Sequence, residues 1–393
     1  MNIAVDLRAL SGDKISGVKV YLLALLEEIF QLDKKNRYFL WWNSATEDFP
    51  KNLKIPRSPR FKKIHTKFSN RTLNLRLILQ NSPPLDRLIL DSEKRREQLD
   101  LFWLPDPRPV ALSENCRLIT TIHDLSPTLH PEFFSMKTRV WHRFLNPKKI
   151  AQKSDKILAV SNSTKNDLEK FWEIPRAKIT ATPLSASAKL KRVQIHDIRR
   201  TKVGINLPPK FVLSLSTLEP RKNLQTLIRA FAEFKNESNS PVELVLAGSF
   251  DRKIFADPKI NPRDISGVNF EWLHFLGFIE EKDKSALLSA AEAFCFPSIY
   301  EGFGIPPLEA MTCGVPVLAS NISALREVCG DAAKLLPPKN VDAWRVALQK
   351  ILSDEKLRED LRRRGIRQSK KFSWKKTAEK TIAAFEKLDL QKN

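Results

Sequence analysis

No stretch of these 393 residues approaches the ~18 consecutive apolar positions that a membrane-spanning helix needs. Met1-Asn2-Ile3-Ala4-Val5-Asp6 reads as a strand, so no secretory leader is expected. Cysteine is scarce. The four present, Cys116, Cys295, Cys313 and Cys329, form no C-x-x-C or other ligand spacing, which argues against a zinc module and a disulfide framework. They read as reduced, mostly buried thiols of a cytoplasmic protein. No Asp-x-Asp stands at the end of an apolar strand and no Cys/His cluster replaces one, so chemistry without a metal is expected. Recognisable internal repeats and low-complexity tracts are missing as well.

Acidic residues are also in short supply, with 45 Asp and Glu against 67 Lys and Arg, a net charge of +22. Residues 1–200 hold 37 basic and 21 acidic residues, and the excess is densest in residues 51–100, with 13 against 5. Nucleic acid is a poor match for that segment, which lacks interleaved aromatics and any zinc-finger or RNA-binding motif. An anionic membrane face fits better. Basic and apolar residues alternate from Arg71 to Leu79, Leu85, Leu88, Ile89 and Leu90 follow, and Lys54, Arg57, Arg60, Lys62 and Lys63 precede them. A solvated basic face with a few apolar residues turned inward fits equally well.

At this length two or three domains are expected. Short apolar strands alternate with amphipathic helices in both halves, the pattern of parallel α/β sheets. Expected strands are Ile3–Asp6, Phe39–Trp42, Leu101–Trp103, Leu118–Ile122 and Lys156–Val160, then Phe211–Ser216, Glu243–Ala247, Phe270–Leu276, Ala293–Phe296, Val315–Ala319 and Ala332–Leu335. Val18–Phe30 reads as the first helix, with Val20, Leu23, Leu26 and Ile29 on one face. The periodicity breaks between Ser185 and Lys210. The chain thus divides into two nucleotide-fold domains, residues 1–190 and 191–371, with a last helix in residues 372–393.

The most informative segment runs from Phe294 to Pro338. A strand leads into a turn containing Gly302 and Gly304, and Pro306 and Pro307 set the first turn of a helix that Gly314 ends. Such a helix start presents unpaired N–H groups and a positive dipole end, suited to phosphate. Glu309 is expected in the first helical turn, accepting hydrogen bonds from a ribose diol, and Glu301, eight positions earlier, is placed to hold hydroxyls of a second polar group. In Glu219-Pro220-Arg221-Lys222-Asn223 two cations sit at a helix N-terminus, where they oppose the dipole unless an anion fills the gap. Thr120-Thr121-Ile122-His123-Asp124 closes a strand with polar residues at its carboxyl end, where α/β sheets place ligand groups. Ser161 and Ser163 read as helix caps.

The glutamate pair with its flanking PSIYEGFGIPPLEAM and CGVPV, together with EPRKN and TIHD, resembles glycosyltransferase family 4, retaining enzymes that use nucleotide sugars. The likeness spans nearly the whole chain and is strongest from Val212 to Asp331. It implies the GT-B fold, two Rossmann-like domains whose parallel sheets face each other across a cleft, with the last helix crossing back to the first domain. By the same likeness Lys222, with Arg221, meets the diphosphate; Gly17, Gly302, Phe303, Gly304 and Ile305 bring backbone near the donor; Ile279 lies near the nucleobase. Glu309 holds the ribose, Glu301 the sugar, and His123 faces the donor, with Asp124 orienting it or touching the acceptor. Relatives often carry an Arg where this chain has Ser216 and Thr217, and Asn-Gly where it has Thr182-Pro183-Leu184-Ser185.

The resemblance implies transfer of a hexose, mannose or a related sugar, with a GDP sugar ahead of a UDP sugar. The acceptor is a glycan or a lipid-linked sugar in polysaccharide assembly, with the protein peripheral at the inner face of the cytoplasmic membrane. Two other readings stand beside it, a sugar phosphorylase or sucrose-type synthase of the same fold, and a non-catalytic basic protein binding nucleic acid or membrane.

Overall fold

The computed structural model describes residues 1–12, 16–92, 97–194, 207–249 and 270–390. It forms two compact units, Met1–Leu184 with Trp374–Asn393, and Ser185–Ser373. The boundaries expected after residues 190 and 371 compare with divisions after Leu184 and Ser373.

The first unit is built on seven strands: β1 Asn2–Asp6, β2 Arg37–Asn43, β3 Phe61–Thr66, β4 Leu101–Leu104, β5 Arg117–Ile122, β6 Lys156–Ala159 and β7 Ile179–Ala181. Their order is β3-β2-β1-β4-β5-β6-β7, and every pairing is parallel. Central strands of such a sheet are covered on both faces, which is why Ile3-Ala4-Val5 and Phe39-Leu40-Trp41-Trp42 are apolar without alternation. Helices α1 Gly17–Leu32, α2 Asn70–Gln80 and α3 Met136–Leu145 are among those that line the pockets of this unit. The C-terminal helix, Trp374–Asp389, packs on α1 in this same unit. Trp374 meets Tyr21, Phe385 meets Trp103 at 5.6 Å, and the Thr377 hydroxyl donates to the Pro183 carbonyl at 2.5 Å.

Three expectations need correction. Helix α1 buries Tyr21, Leu22, Leu25, Leu26, Ile29 and Phe30, so Val20 and Leu23 lie beside the core face rather than on it. β3 and β7 were not expected, because their few apolar residues are interrupted by Lys62, Lys63 and Thr180. β3 is an edge strand, where lysines deter pairing with another chain, and Arg60 beside it donates to the Asp33 carbonyl and lies over the Phe61 ring. In the stretch read as membrane-facing, Leu73, Leu77, Leu85 and Ile89 are core residues, and only Leu75 and Leu79 are exposed among the large apolar side chains of α2.

The second unit has six strands, β8 Phe211–Leu215, β9 Glu243–Ala247, β10 Leu273–Gly277, β11 Ala293–Phe296, β12 Val317–Ser320 and β13 Ala333–Leu336, all parallel in the order β10-β9-β8-β11-β12-β13. Its main helices for the site are α4 Leu224–Glu237, α5 Glu281–Ala290 and α6 Ile305–Thr312. Leu227, Ile228 and Phe231 of α4 pack with Val212, Leu244 and Trp344 into the core. At the carboxyl end of β9, Gly248 adopts a φ of 135°, and a Cβ there would fall 1.7 Å from the Ser216 carbonyl oxygen. Only glycine lets those two strand ends lie so close.

In each sheet the chain leaves one central strand and later returns to its other side, between β1 and β4 in the first and between β8 and β11 in the second. The loops at the carboxyl ends of such strands diverge and open a crevice, the usual ligand position in α/β sheets.

Candidate active site

Arg221 and Lys222 leave β8 on a short turn, Pro220–Lys222, and Glu301 follows β11, the strand hydrogen-bonded beside it. The two loops are stitched together by backbone: the Ile299 N–H donates to the Arg221 carbonyl at 2.8 Å, and the Arg221 guanidinium donates to the Tyr300 carbonyl at 3.2 Å. Asn223, at a φ of 52°, sends its amide to the carbonyls of Pro297 and Pro338. An asparagine suits this left-handed position because its short polar side chain repays the strain with local hydrogen bonds.

The stitching brings four charges together. Lys222 Nζ lies 2.5 Å from Glu301 Oε1, and Arg221 lies 2.9 Å from Glu301 Oε2 and 2.6 Å from Glu219. The Ser298 hydroxyl donates to Glu301 Oε1 at 2.5 Å. Burial alone would raise the Glu301 carboxyl, but Arg221, Lys222 and Ser298 outweigh it and hold it at about 2. Glu301 is therefore ionised. It uses three of about four lone-pair sites on these partners, leaving one on Oε2. This corrects the picture of two uncompensated cations waiting for an anion, since Glu301 and Glu219 already balance them. Ser298 and Glu219 were missed as partners although both contacts are local, Ser298 lying just before Glu301 and Glu219 just before Arg221 in the chain.

Glu309 also departs from expectation. α6 begins at Ile305, so Glu309 sits in its second turn, beyond the strongest part of the dipole. Its partner is Lys284 of α5, at 3.0 Å from Oε1, and Lys284 also meets Glu281 at 2.9 Å. Burial raises the Glu309 carboxyl and Lys284 offsets that only in part. Oε2 carries no hydrogen bond among the described residues. Lys284 was not singled out from sequence, since Glu281-Lys282-Asp283-Lys284 reads as a solvated helix face.

Gly304 caps α6 at a φ of 102°, with Leu325 Cδ2 only 2.5 Å from where a Cβ would stand. Pro306 and Pro307 have no N–H, so the backbone donors that would meet an anion at this helix start belong to residues before them, at 302–305. Phe303 turns into the core, edge-on to Phe372 at 5.6 Å, and Ile279 is buried just past β10, so either meets a ligand through backbone. Ser216, at the end of β8, has a buried hydroxyl with no partner among the described residues.

His123 and Gly17 belong to the first unit. His123 follows β5 and lines a pocket of about 320 Å³ with Val18, Asn74, Asp124, Trp141 and His142. Its Nε2 is 2.9 Å from the Pro105 carbonyl, past the end of β4, and its ring is edge-on to Tyr21 at 4.8 Å. A carbonyl only accepts, so Nε2 carries the proton, and in the neutral ring Nδ1 is left as an acceptor. Asp124 does not orient it, because its Oδ1 takes both the N–H and the hydroxyl of Ser126. Gly17 opens α1, capped by Ser16, and a Cβ there would meet nothing within 4 Å, so packing among the described residues does not demand glycine. Ser161 caps the helix Asn162–Trp172 through the Thr164 N–H. Among the described residues no group of three or more His, Cys, Asp or Glu is placed to hold a metal, and no helix is long and apolar enough to cross a membrane.

Residues 15–184 match the model of Glycosyltransferase Family 4, and residues 196–368 that of Glycosyl transferases group 1. The chain is 32% identical over 273 residues to O-antigen chain mannosyltransferase B of Escherichia coli, covering 69% of this chain and 71% of that one. It is 30% identical to the serotype-specific mannosyltransferase WbdA of Escherichia coli, over 69% of this chain and 34% of that longer protein. It thus spans about a third of WbdA. Among solved structures, sucrose-phosphate synthase of Thermosynechococcus elongatus superposes with a TM-score of 0.72 at 18% identity, covering 99% of each chain. HepE of Anabaena, in complex with UDP and glucose, gives 0.70 at 17%, covering 98% of this chain and 99% of that one. A whole-chain match to two-domain parallel folds, together with a relative above 30% identity over most of both lengths, makes this chain a glycosyltransferase of family 4 with the GT-B fold.

Proposed function

We propose that the chain moves mannose or a related hexose, with retention, from a nucleoside diphosphate sugar to a hydroxyl of a growing polysaccharide or lipid-linked acceptor. GDP is preferred over UDP. The observation that carries this reading is the cluster of Lys222, Arg221 and Glu301 at the switch point of the second sheet, beside the N-terminus of α6. Glu301 aims the two cations at the diphosphate, and its remaining lone pair takes one sugar hydroxyl. Glu309 Oε2 accepts from the ribose, the N–H groups of residues 302–305 and Lys222 stabilise the departing diphosphate, and the Nδ1 of His123 accepts a hydroxyl of the donor sugar. The mannosyltransferase names of the relatives support the sugar. Incubation with GDP-mannose and an acceptor glycan tests the reading. Transfer or slow sugar-nucleotide hydrolysis is expected, and phosphate-dependent disaccharide cleavage instead would assign the site to a phosphorylase.

Glu309→Ala weakens nucleoside diphosphate binding by about 1.5 to 3 kcal/mol, the worth of a hydrogen bond to a charged group. Titration calorimetry with GDP checks this, and unchanged affinity for every nucleoside diphosphate would remove Glu309 from the site. Because burial raises this carboxyl, the ionised form that accepts from ribose is lost earlier than usual on acidification. Affinity of the parent should therefore start to fall at a pH above the ordinary carboxylate range.

The charge work at the diphosphate is assigned to Lys222, Arg221 and the start of α6, so the reaction needs no divalent ion. Activity should survive EDTA unchanged. Loss of activity that Mg²⁺ or Mn²⁺ restores would overturn this assignment.

A further inference from the structure

Helix α3, Met136–Leu145, is mounted with its apolar stripe outward. None of its residues is buried. At 100° per residue, Met136, Val140 and Phe144 fall on one stripe, and they are 70%, 48% and 62% exposed. The opposite side, which carries Thr138, His142 and Leu145, is the half-buried one. Ordinary packing would reverse the two.

Lys137 and Arg143 flank the outward stripe, and the helix has no acidic residue. Beyond Phe144 a groove of about 720 Å³ continues the surface, bordered by Leu79 of α2, itself 69% exposed, and by Lys149 and Lys153. Among the described residues none of Lys137, Arg143, Lys149 and Lys153 forms an ion pair. Asp155, the acid in this groove, accepts the Leu118 N–H.

We propose that this outward face of α3, with the groove leading from Phe144, seats on an anionic lipid bilayer. Exposed apolar side chains rimmed by unpaired cations are what the interface between headgroups and acyl chains accepts: the apolar stripe sinks to the acyl boundary while the cations stay at the anionic headgroups. A second copy is the poorer occupant. A two-fold contact would set Lys137 and Arg143 against their own copies, and one short helix offers far less than the ~800 Å² per partner of a standard interface. The other side of α3, through Trp141 and His142, lines the pocket of His123, so the helix lies between the bilayer and that pocket. An acceptor carried on a lipid would reach His123 without leaving the membrane surface, a consequence that rests on the proposed function above. This places the contact on residues 136–153, not on the Lys54–Lys63 segment that charge density alone favours.

The test is co-sedimentation of the full chain with vesicles of phosphatidylcholine alone or mixed with phosphatidylglycerol, at low salt. The parent should bind the mixed vesicles and not the neutral ones. Replacing Met136, Val140 and Phe144 together by serine, or Lys137→Glu with Arg143→Glu, should each lower partitioning at least about tenfold. Reversing Lys54, Arg57 and Lys63 should change it less than about threefold. GDP binding and thermal unfolding, measured on every variant, report whether the fold and the nucleotide site are intact. If the parent ignores anionic vesicles, if the α3 variants sediment like the parent, or if the Lys54 set alone abolishes binding, the proposal fails. A dimer in sedimentation velocity that the serine substitutions dissolve would give the face to a second copy. Absence of GDP binding in a parent that still partitions would sink the proposed function and leave this surface standing.

Discussion

Lys222→Ala lowers turnover by about a hundredfold or more while nucleoside diphosphate affinity falls much less. Negative charge on the departing diphosphate grows as the glycosidic bond breaks, so a cation held beside it stabilises the transition state more than the bound donor. Removing one such donor typically costs two to three orders of magnitude. The variant should fold, because Glu301 keeps Arg221 at 2.9 Å and the Ser298 hydroxyl at 2.5 Å. Steady-state kinetics with GDP-mannose, alongside GDP titration, separate the two terms. Full activity in the variant would show that the diphosphate is neutralised elsewhere.

Glu301→Gln should cost about 3 to 5 kcal/mol of stability near neutral pH, because it leaves the buried Lys222 without its ion-pair partner, whereas Arg221 keeps Glu219. The carboxyl of Glu301 is depressed to about 2 in the folded chain, so its contribution is fully present above the ordinary carboxylate range and is lost as pH falls through that range toward 2. The gap between parent and variant in urea unfolding should therefore close on acidification. A gap that stays constant between pH 7 and pH 3 would show that the ion cluster does not carry the difference. Glu309 has the opposite sign. Its carboxyl is raised by burial, so its ionised form opposes folding at neutral pH, and this carboxylate is retained at a cost to stability.

The motif residues of the second unit were legible because they are local. Apolar runs of four or five residues mark β8 and β11, prolines mark the start of α6, and Gly304 marks a turn that no Cβ fits. Sequence separation concealed the rest. Arg221 and Glu301 are 80 positions apart and meet because β8 and β11 are neighbours in the sheet, a pairing no periodicity encodes. Glu309 was legible as a site residue, whereas Lys284 looks like one more charge on a solvated helix until α5 and α6 are packed together. Asp124 was misjudged for a simpler reason. A carboxylate beside a histidine suggests a pair, yet the nearer donors are its own neighbours in the chain, the N–H and hydroxyl of Ser126.

By itself the sequence determined the class of fold, the alternation of buried strands with helices, and the residues that carry charge to a phosphate. These depend on local spacing and side-chain type, which the chain carries wherever it folds. Tertiary structure alone decided which loops share a crevice, which charges are already neutralised, and which way a helix faces. α3 shows the difference. Its apolar stripe is plain at helical spacing, and periodicity predicts that such a stripe points to the core. Here Thr138, His142 and Leu145 take the inner side, and Met136, Val140 and Phe144 are left outside. A stripe states only that one side of a helix differs from the other. Its direction is settled by what the rest of the chain has already packed against, and that sum over distant residues is not written in any window of the sequence.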